Sequence, residues 1–292
     1  MLKQNLPSIF FSLVVFALSI CLGEIPAPAQ TGAGGKEMKK DELYLSVARR
    51  LNALNETPSS AVANELDSVI EVTNITTRSD GKAEATVKER TPSEDGKSIR
   101  LVFAPPAAAD TEEKWTWEQF ENNRKFYPVD KLFPYAKDEL GKRKQATVAG
   151  WSAFIASINK QAEAASRALD TAKAILKSDP EPMAGVKGVR AALAEAMKEN
   201  KTDDILNAYR ELNQRTESIA TLGDTMTDLK ANDAYLRLID EFKKSVESTE
   251  TARKTYLQAV AAYNETILRL PFSLVAYAFE FRKIEASISE DQ

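Results

Sequence analysis

Histidine is absent from all 292 residues, and the single cysteine, Cys21, stands in an apolar leader. Ser-His and Cys-His nucleophile pairs are therefore excluded, as are zinc sites built from those two ligand types. The remaining chemistry belongs to carboxylates, lysine, tyrosine, serine and threonine. Asp240, Glu241, Glu247 and Glu250 offer carboxylates at helical spacing, with Arg237, Lys243, Lys244, Arg253 and Lys254 interleaved among them. Asp240/Lys244 and Glu250/Lys254 are i,i+4 pairs in the orientation that supports a helix, so the pattern reads as a solvated helical face. A glycosidase needs two carboxyl groups placed across a cleft. An oxygen-ligand metal site needs a clustered acidic loop such as Asp-x-Asp-x-Asp-Gly, which does not occur. Gly185-x-x-Gly188 lacks the Lys-Ser/Thr that completes a phosphate loop. No catalytic, cofactor-binding or metal-ligating residue is assigned, and no cofactor is expected.

Binding is the second chemistry to weigh. Trp115, Trp117, Phe120, Phe126, Tyr127, Phe133 and Tyr135 crowd into one stretch. They read either as a stacking platform for cell-wall glycan, with Trp115, Trp117 and Tyr127 as its surface, or as cover over the open face of a small sheet. The second is the commoner use of aromatic rings. Tyr256 and Tyr263, seven residues apart, read as core residues with their hydroxyls at the rim, with a contact site at the Arg253/Tyr256 corner as the alternative.

The elements that would position these groups fall into two textures. From 37 to 145 the pattern predicts a small α+β domain. Leu43, Val47, Leu51 and Leu54 recur at helical spacing until Thr57-Pro58. Three antiparallel strands in a meander follow: Leu66 to Ile75, then Ala83, Ala85 and Val87 alternating with Glu84, Thr86 and Lys88, then Ser98–Phe103. Turns at Arg78–Gly81 and Glu94–Gly96 join them, and Pro128 and Pro134 argue against a long helix in the aromatic stretch. From 146 to 292 the sequence turns Ala-rich and helical. Apolar stripes run from Val148 to Leu176, through Val189, Leu193 and Met197, and from Ile205 to Leu222 behind a cap at Thr202-Asp203-Asp204. The longest pattern runs from Asn232 to Leu270, and after Pro271 helical character resumes from Phe272 to Ile288. The expected fold is mainly α: a C-terminal antiparallel up-and-down helical bundle preceded by the α+β domain with its three-stranded meander.

Residues 1–29 read as a signal peptide. Lys3 precedes an apolar run from Ile9 to Leu22, and Ala27-Pro28-Ala29 places small residues before a cleavage point between Ala29 and Gln30. Lipidation of Cys21 and retention as an uncleaved membrane anchor are the two rival fates. Residues 30–36 form a flexible tether. A net charge of −4 with 28% charged and 43% hydrophobic residues fits a globular chain and gives no basic stripe for nucleic acid.

Leu229-Lys230-Ala231-Asn232, followed by Ala234-Tyr235-Leu236-Arg237-Leu238, resembles the Leu-Lys-Ala-Asn segment of LemA-family proteins. Arg253-x-x-Tyr256 and Tyr263-Asn264 are similar to that family's Arg-x-x-Tyr-Asn repeat, and Leu270-Pro271-Phe272 leading to Phe279-Glu280-Phe281 to its ending. Leu257 and Glu280 depart from the usual Asn and Gly. The resemblance is strongest over 229–281. It implies a helical bundle at the cell envelope without an established catalytic activity, working beside an envelope or membrane protein such as a membrane protease or assembly. The expected role is thus a non-enzymatic exported scaffold or adaptor, periplasmic or membrane-attached on the extracytoplasmic side. The alternatives are the glycan-binding module and, last, a carboxylate-based hydrolase.

Overall fold

A computed structural model describes residues 37–54, 62–90, 98–107, 114–279 and 281–286. The expected leader, Cys21, the Ala29/Gln30 junction, the tether and the turn at 94–96 lie outside these residues. The first described elements are α1 (Lys40–Leu54) and α2 (Val62–Val69). In α1, Leu43, Val47 and Leu51 are fully buried on one stripe, and Asp41 and Glu42 complement the helix dipole in its first turn. Leu66 to Val69 had been expected in a strand. They close α2 instead, with Leu66 fully buried, and the strand begins only at Ile70.

The sheet has five strands where three were expected. They are β1 (Ile70–Thr77), β2 (Ala83–Glu89), β3 (Ser98–Ala104), β4 (Thr116–Asn122) and β5 (Lys125–Pro128), paired antiparallel in the order β1-β2-β3-β4-β5. β2 and β3 follow their alternation: Ala83, Ala85, Val87, Leu101 and Phe103 are buried, while Glu84, Thr86 and Lys88 lie on the other face. β4 and β5 escaped the sequence for two physical reasons. A bulge between Val102 and Phe103 shifts the β3/β4 register, so Trp117 and Phe120 face inward three residues apart rather than two. The β4/β5 turn is made by Asn123 and Arg124 at φ of 51° and 63°, two left-handed residues without the glycine that usually marks such a turn.

α3 (Leu132–Leu176) is a continuous 45-residue helix and the longest of the described elements. It starts well before the texture change at 146, so the expected boundary between 145 and 146 falls inside it. Pro134 sits in its first turn, where a missing N–H removes no helical hydrogen bond, and therefore does not break it. After α3 come α4 (Met183–Glu199), α5 (Thr202–Gln214), α6 (Thr216–Thr225) and α7 (Thr227–Lys230). The cap of α5 is Lys201, with no side-chain bond, and Asp203 and Asp204 serve its first turn as negative charge. α8 (Asp233–Leu268) begins at Asn232, whose side chain accepts a hydrogen bond from the Tyr235 amide at 3.0 Å.

α3 and α8 lie antiparallel along each other. Thr249 donates to the Ser157 carbonyl at 3.1 Å, Arg167 pairs with Glu241 at 3.2 Å, and a Cβ on Gly150 would stand 3.2 Å from the Tyr256 Cα. As the number rises on one helix it falls on the other. Phe154, Ile158, Leu169, Val189, Leu206 and Phe242 share the bundle core. The chain then turns at Leu270-Pro271 into α9 (Phe272–Ala278). Helix had been expected through Ile288. It ends at Ala278, and residues 281–286 carry no regular secondary structure.

The two textures do not part company in space: Lys36–Gln292 is one compact unit. Leu132 and Ala136 from the start of α3, together with Leu270, Leu274 and Val275, join Leu43, Phe103 and Trp117 in the core beneath the sheet. Among the described residues no helix is long and apolar enough to cross a membrane.

Candidate functional site

The resembling motifs take separate structural duties along α7, α8 and the chain end. Leu229 is fully buried, and Lys230 and Ala231 lead to the Asn232 cap. Arg253 is buried to 6% exposure and grips Glu250 with two bonds of 2.9 Å, from Nε and from the second guanidinium nitrogen. That grip holds the Glu250 carboxyl below its ordinary range. Tyr256 lies 5.2 Å from Trp151 ring to ring, Trp151 in turn meets Phe154, and burial raises the Tyr256 hydroxyl above its usual pKa. The Arg253/Tyr256 corner is thus an interior joint of the bundle.

Tyr263 and Asn264 do something different. The Tyr263 hydroxyl donates to the Arg282 carbonyl at 3.1 Å. The Asn264 amide donates to the Ile284 carbonyl and accepts from the Ile284 N–H, both at 2.8 Å. One turn of α8 thereby holds the chain end along its side. Phe281 completes the arrangement, packing with Leu140, Tyr263, Ile267 and Ala276.

Beside this clamp lies a cavity of about 250 Å³, bounded by Val69 and Glu89 from the sheet side, Ile267 and Ser273 from the hairpin, and Phe281 and Arg282 from the tail. Glu89 is buried, and its carboxylate accepts from the Leu270 N–H at 2.7 Å. Ser273 is 4% exposed and its hydroxyl has no hydrogen-bond partner among the described residues. Sequence reasoning passed over both residues. The Ala83, Ala85, Val87 alternation, carried one step further, places Glu89 inward, and a carboxylate in that phase was the available signal. Ser273 offered none.

The alternative reading of the aromatic stretch, a stacking surface, is reduced to one of its three rings. Trp115 and Trp117 are 3% and 1% exposed and belong to the core beneath the sheet, with Trp117 Nε1 donating to the Gln119 carbonyl at 2.8 Å. Tyr127 alone of the three is open, at 39%, on the short edge strand β5. The rings went inward because β4 is paired on both sides and its inner face must be covered. The carboxylates of α8 are ion-paired as read: Asp240 with Lys244 at 2.7 Å and Glu250 with Lys254 at 3.7 Å. Arg100 on the outer sheet face is bracketed by Glu84 and Glu121 and lies 4.8 Å over the Phe126 ring. Its guanidinium lowers the Glu121 pKa. No group of three Asp, Glu, Cys or His side chains among the described residues is placed to hold a metal.

A family model supplies the outside comparison: residues 150–291 match the LemA family. The match begins inside α3, leaving residues 132–149, which root that helix in the sheet core, in front of it. No curated protein and no solved structure matches the chain.

Proposed function

With residues 150–291 belonging to the LemA family, we propose that this protein is a non-enzymatic, exported cell-envelope scaffold or adaptor. The observation that carries the reading is α3: one unbroken helix whose first turns lie in the sheet core and whose remainder forms the bundle. At 1.5 Å per residue it spans about 65 Å, so a partner held at the far end of the bundle keeps a fixed distance and angle to the sheet. The polar outer face of the sheet, laced by Arg100, Glu84 and Glu121, is a surface for a polar partner rather than a catalytic cleft. Export rests on the leader at 1–29, and the partner class, a membrane protease or other envelope assembly, rests on the resemblance. The glycan reading loses two of its three rings to the core.

The test is photo-crosslinking of the tagged full-length protein in intact cells, with the crosslinker placed in turn on the outer sheet face and the distal end of the bundle. One dominant membrane protein captured from both positions is the expected result. Recovery of cell-wall fragments alone, or of nothing, would overturn the adaptor reading. Fractionation of the same cells checks export: retention in the cytoplasm removes the envelope from the proposal.

A further inference from the structure

On the long helices, hydroxyls such as those of Ser152, Ser157, Thr251 and Thr266 donate to a carbonyl three or four residues earlier. Ser273 does not. It stands in the first turn of α9, where its N–H bonds the Arg269 carbonyl, and its buried hydroxyl has no partner among the described residues. Ser273 and Ala276, three apart on one face of α9, both line the cavity of about 250 Å³, together with Val69, Ile267 and Phe281. A buried hydroxyl left open carries a desolvation cost that an occupant of the cavity would relieve. About 150 Å³ of apolar space is enough to take up benzene, so this volume admits a ring with a substituent.

The charges around the cavity set the class of occupant. Glu89 is buried in its wall, held by the Leu270 N–H, and that carboxylate disfavours an anion inside. Arg282 and Lys283, exposed on the tail side, disfavour the approach of a cation. The rest of the lining is mainly apolar, with Ser273 as the polar group without a partner, and a few polar groups set in apolar walls is the make-up of a small-molecule site. We infer that the cavity binds a small uncharged amphiphile, an alcohol or phenol of about ten non-hydrogen atoms or fewer. Its hydroxyl hydrogen-bonds Ser273, and its hydrocarbon part lies against Ile267 and Phe281. The tail at 281–286 stays in place as one wall of the site. The inference goes beyond the adaptor reading and stands without the envelope location.

The probe is p-cresol, titrated against the full-length protein by calorimetry and by amide chemical shifts. Saturable binding that moves the Ser273 and Ala276 resonances is expected. Toluene is the same ring without the hydroxyl and the more apolar of the two, so a merely dry void would prefer it. Here it should bind about tenfold more weakly than p-cresol. Benzoate and benzylamine should also bind more weakly, each opposed by one of the two charges. Ser273→Ala should lower p-cresol affinity about tenfold and leave toluene unchanged, without loss of stability, because it removes a buried hydroxyl that has no partner. Ala276→Leu fills the cavity and should abolish binding of both; if that chain does not fold, Ser273→Ala and the toluene comparison decide alone. No saturable binding of p-cresol means that the cavity takes up water only, and overturns the proposal. Toluene or a charged analogue binding as tightly as p-cresol overturns it too, as does p-cresol affinity unchanged in Ser273→Ala.

Discussion

The core under the sheet and the core of the bundle are built on opposite plans. The first is filled by large side chains: Trp115, Trp117, Phe103, Phe120 and a set of leucines. The second is lined with alanine at 162, 164, 165, 168 and 172, and it buries polar groups at Ser157, Gln161, Thr249 and Arg253. Small side chains let α3 and α8 approach closely, and the Thr249 hydroxyl reaches across to the Ser157 carbonyl, a contact that one register of the pair makes. The sheet core therefore holds by volume, and the bundle core by alignment.

The largest effect should come from the volume side. Trp117→Ala should cost about 3–5 kcal/mol in urea unfolding, the usual range for emptying a buried tryptophan site. Because α3 is rooted in both cores, the loss should appear as one shifted transition in sheet and bundle probes alike. Two separated transitions would break the link between the cores.

Next is the alignment side. Gly150→Val places a branched side chain where a Cβ already meets the Tyr256 Cα at 3.2 Å, and should cost about 2 kcal/mol. The perturbation should centre on the helix pair, so Trp151 fluorescence, beside Tyr256, should shift while the sheet's circular dichroism stays. A variant as stable as wild type would show that the helices part without penalty. Asn232→Ala removes the α8 cap and should cost about 1 kcal/mol, with faster amide exchange confined to the first turn of α8.

Acid should produce the smallest and most shared response. Arg253 depresses the Glu250 pKa and Arg100 that of Glu121, so each carboxylate binds its proton more readily in the unfolded chain. Their contributions are complete above the ordinary glutamate value near 4.5 and fade as pH falls through the lower folded values. Glu250→Gln and Glu121→Gln should each flatten the acid limb of the stability profile. An unchanged limb in either would mean that its arginine is not gripping it in solution. At the alkaline end Tyr44 works the other way. Burial and its hydrogen bond to Asp67 push the hydroxyl up to about 12, so its contribution holds below 10.0 and is lost as pH rises through about 12. Tyr44→Phe should remove that alkaline loss.

The contrast between the cores also explains what could be read in advance. Alignment is written locally: the stripes of α3 and α8 and the Asn232 cap all stand in the sequence at helical spacing. Volume is not. β4 and β5 are set by a bulge and by two left-handed residues, Asn123 and Arg124, and neither leaves an alternation or a glycine to read. Pro134 suggested a break because its place in a first turn depends on where the helix begins. Tyr263 and Asn264 were singled out by motif, yet what they hold lies about twenty residues on, and only the fold brings it there. The carboxylate pairs of α8 were fully legible, since both partners sit one turn apart.

The sheet core draws Leu270, Leu274 and Val275 from near the end of the chain, and the Glu89–Leu270 bond closes a loop of 181 residues. During synthesis the strands emerge first and wait. Leu270, Leu274 and Val275 reach that core only after the last hairpin is released, so its packing is completed late. The timing of that closure is set by where along the polypeptide the final pieces of one core are encoded.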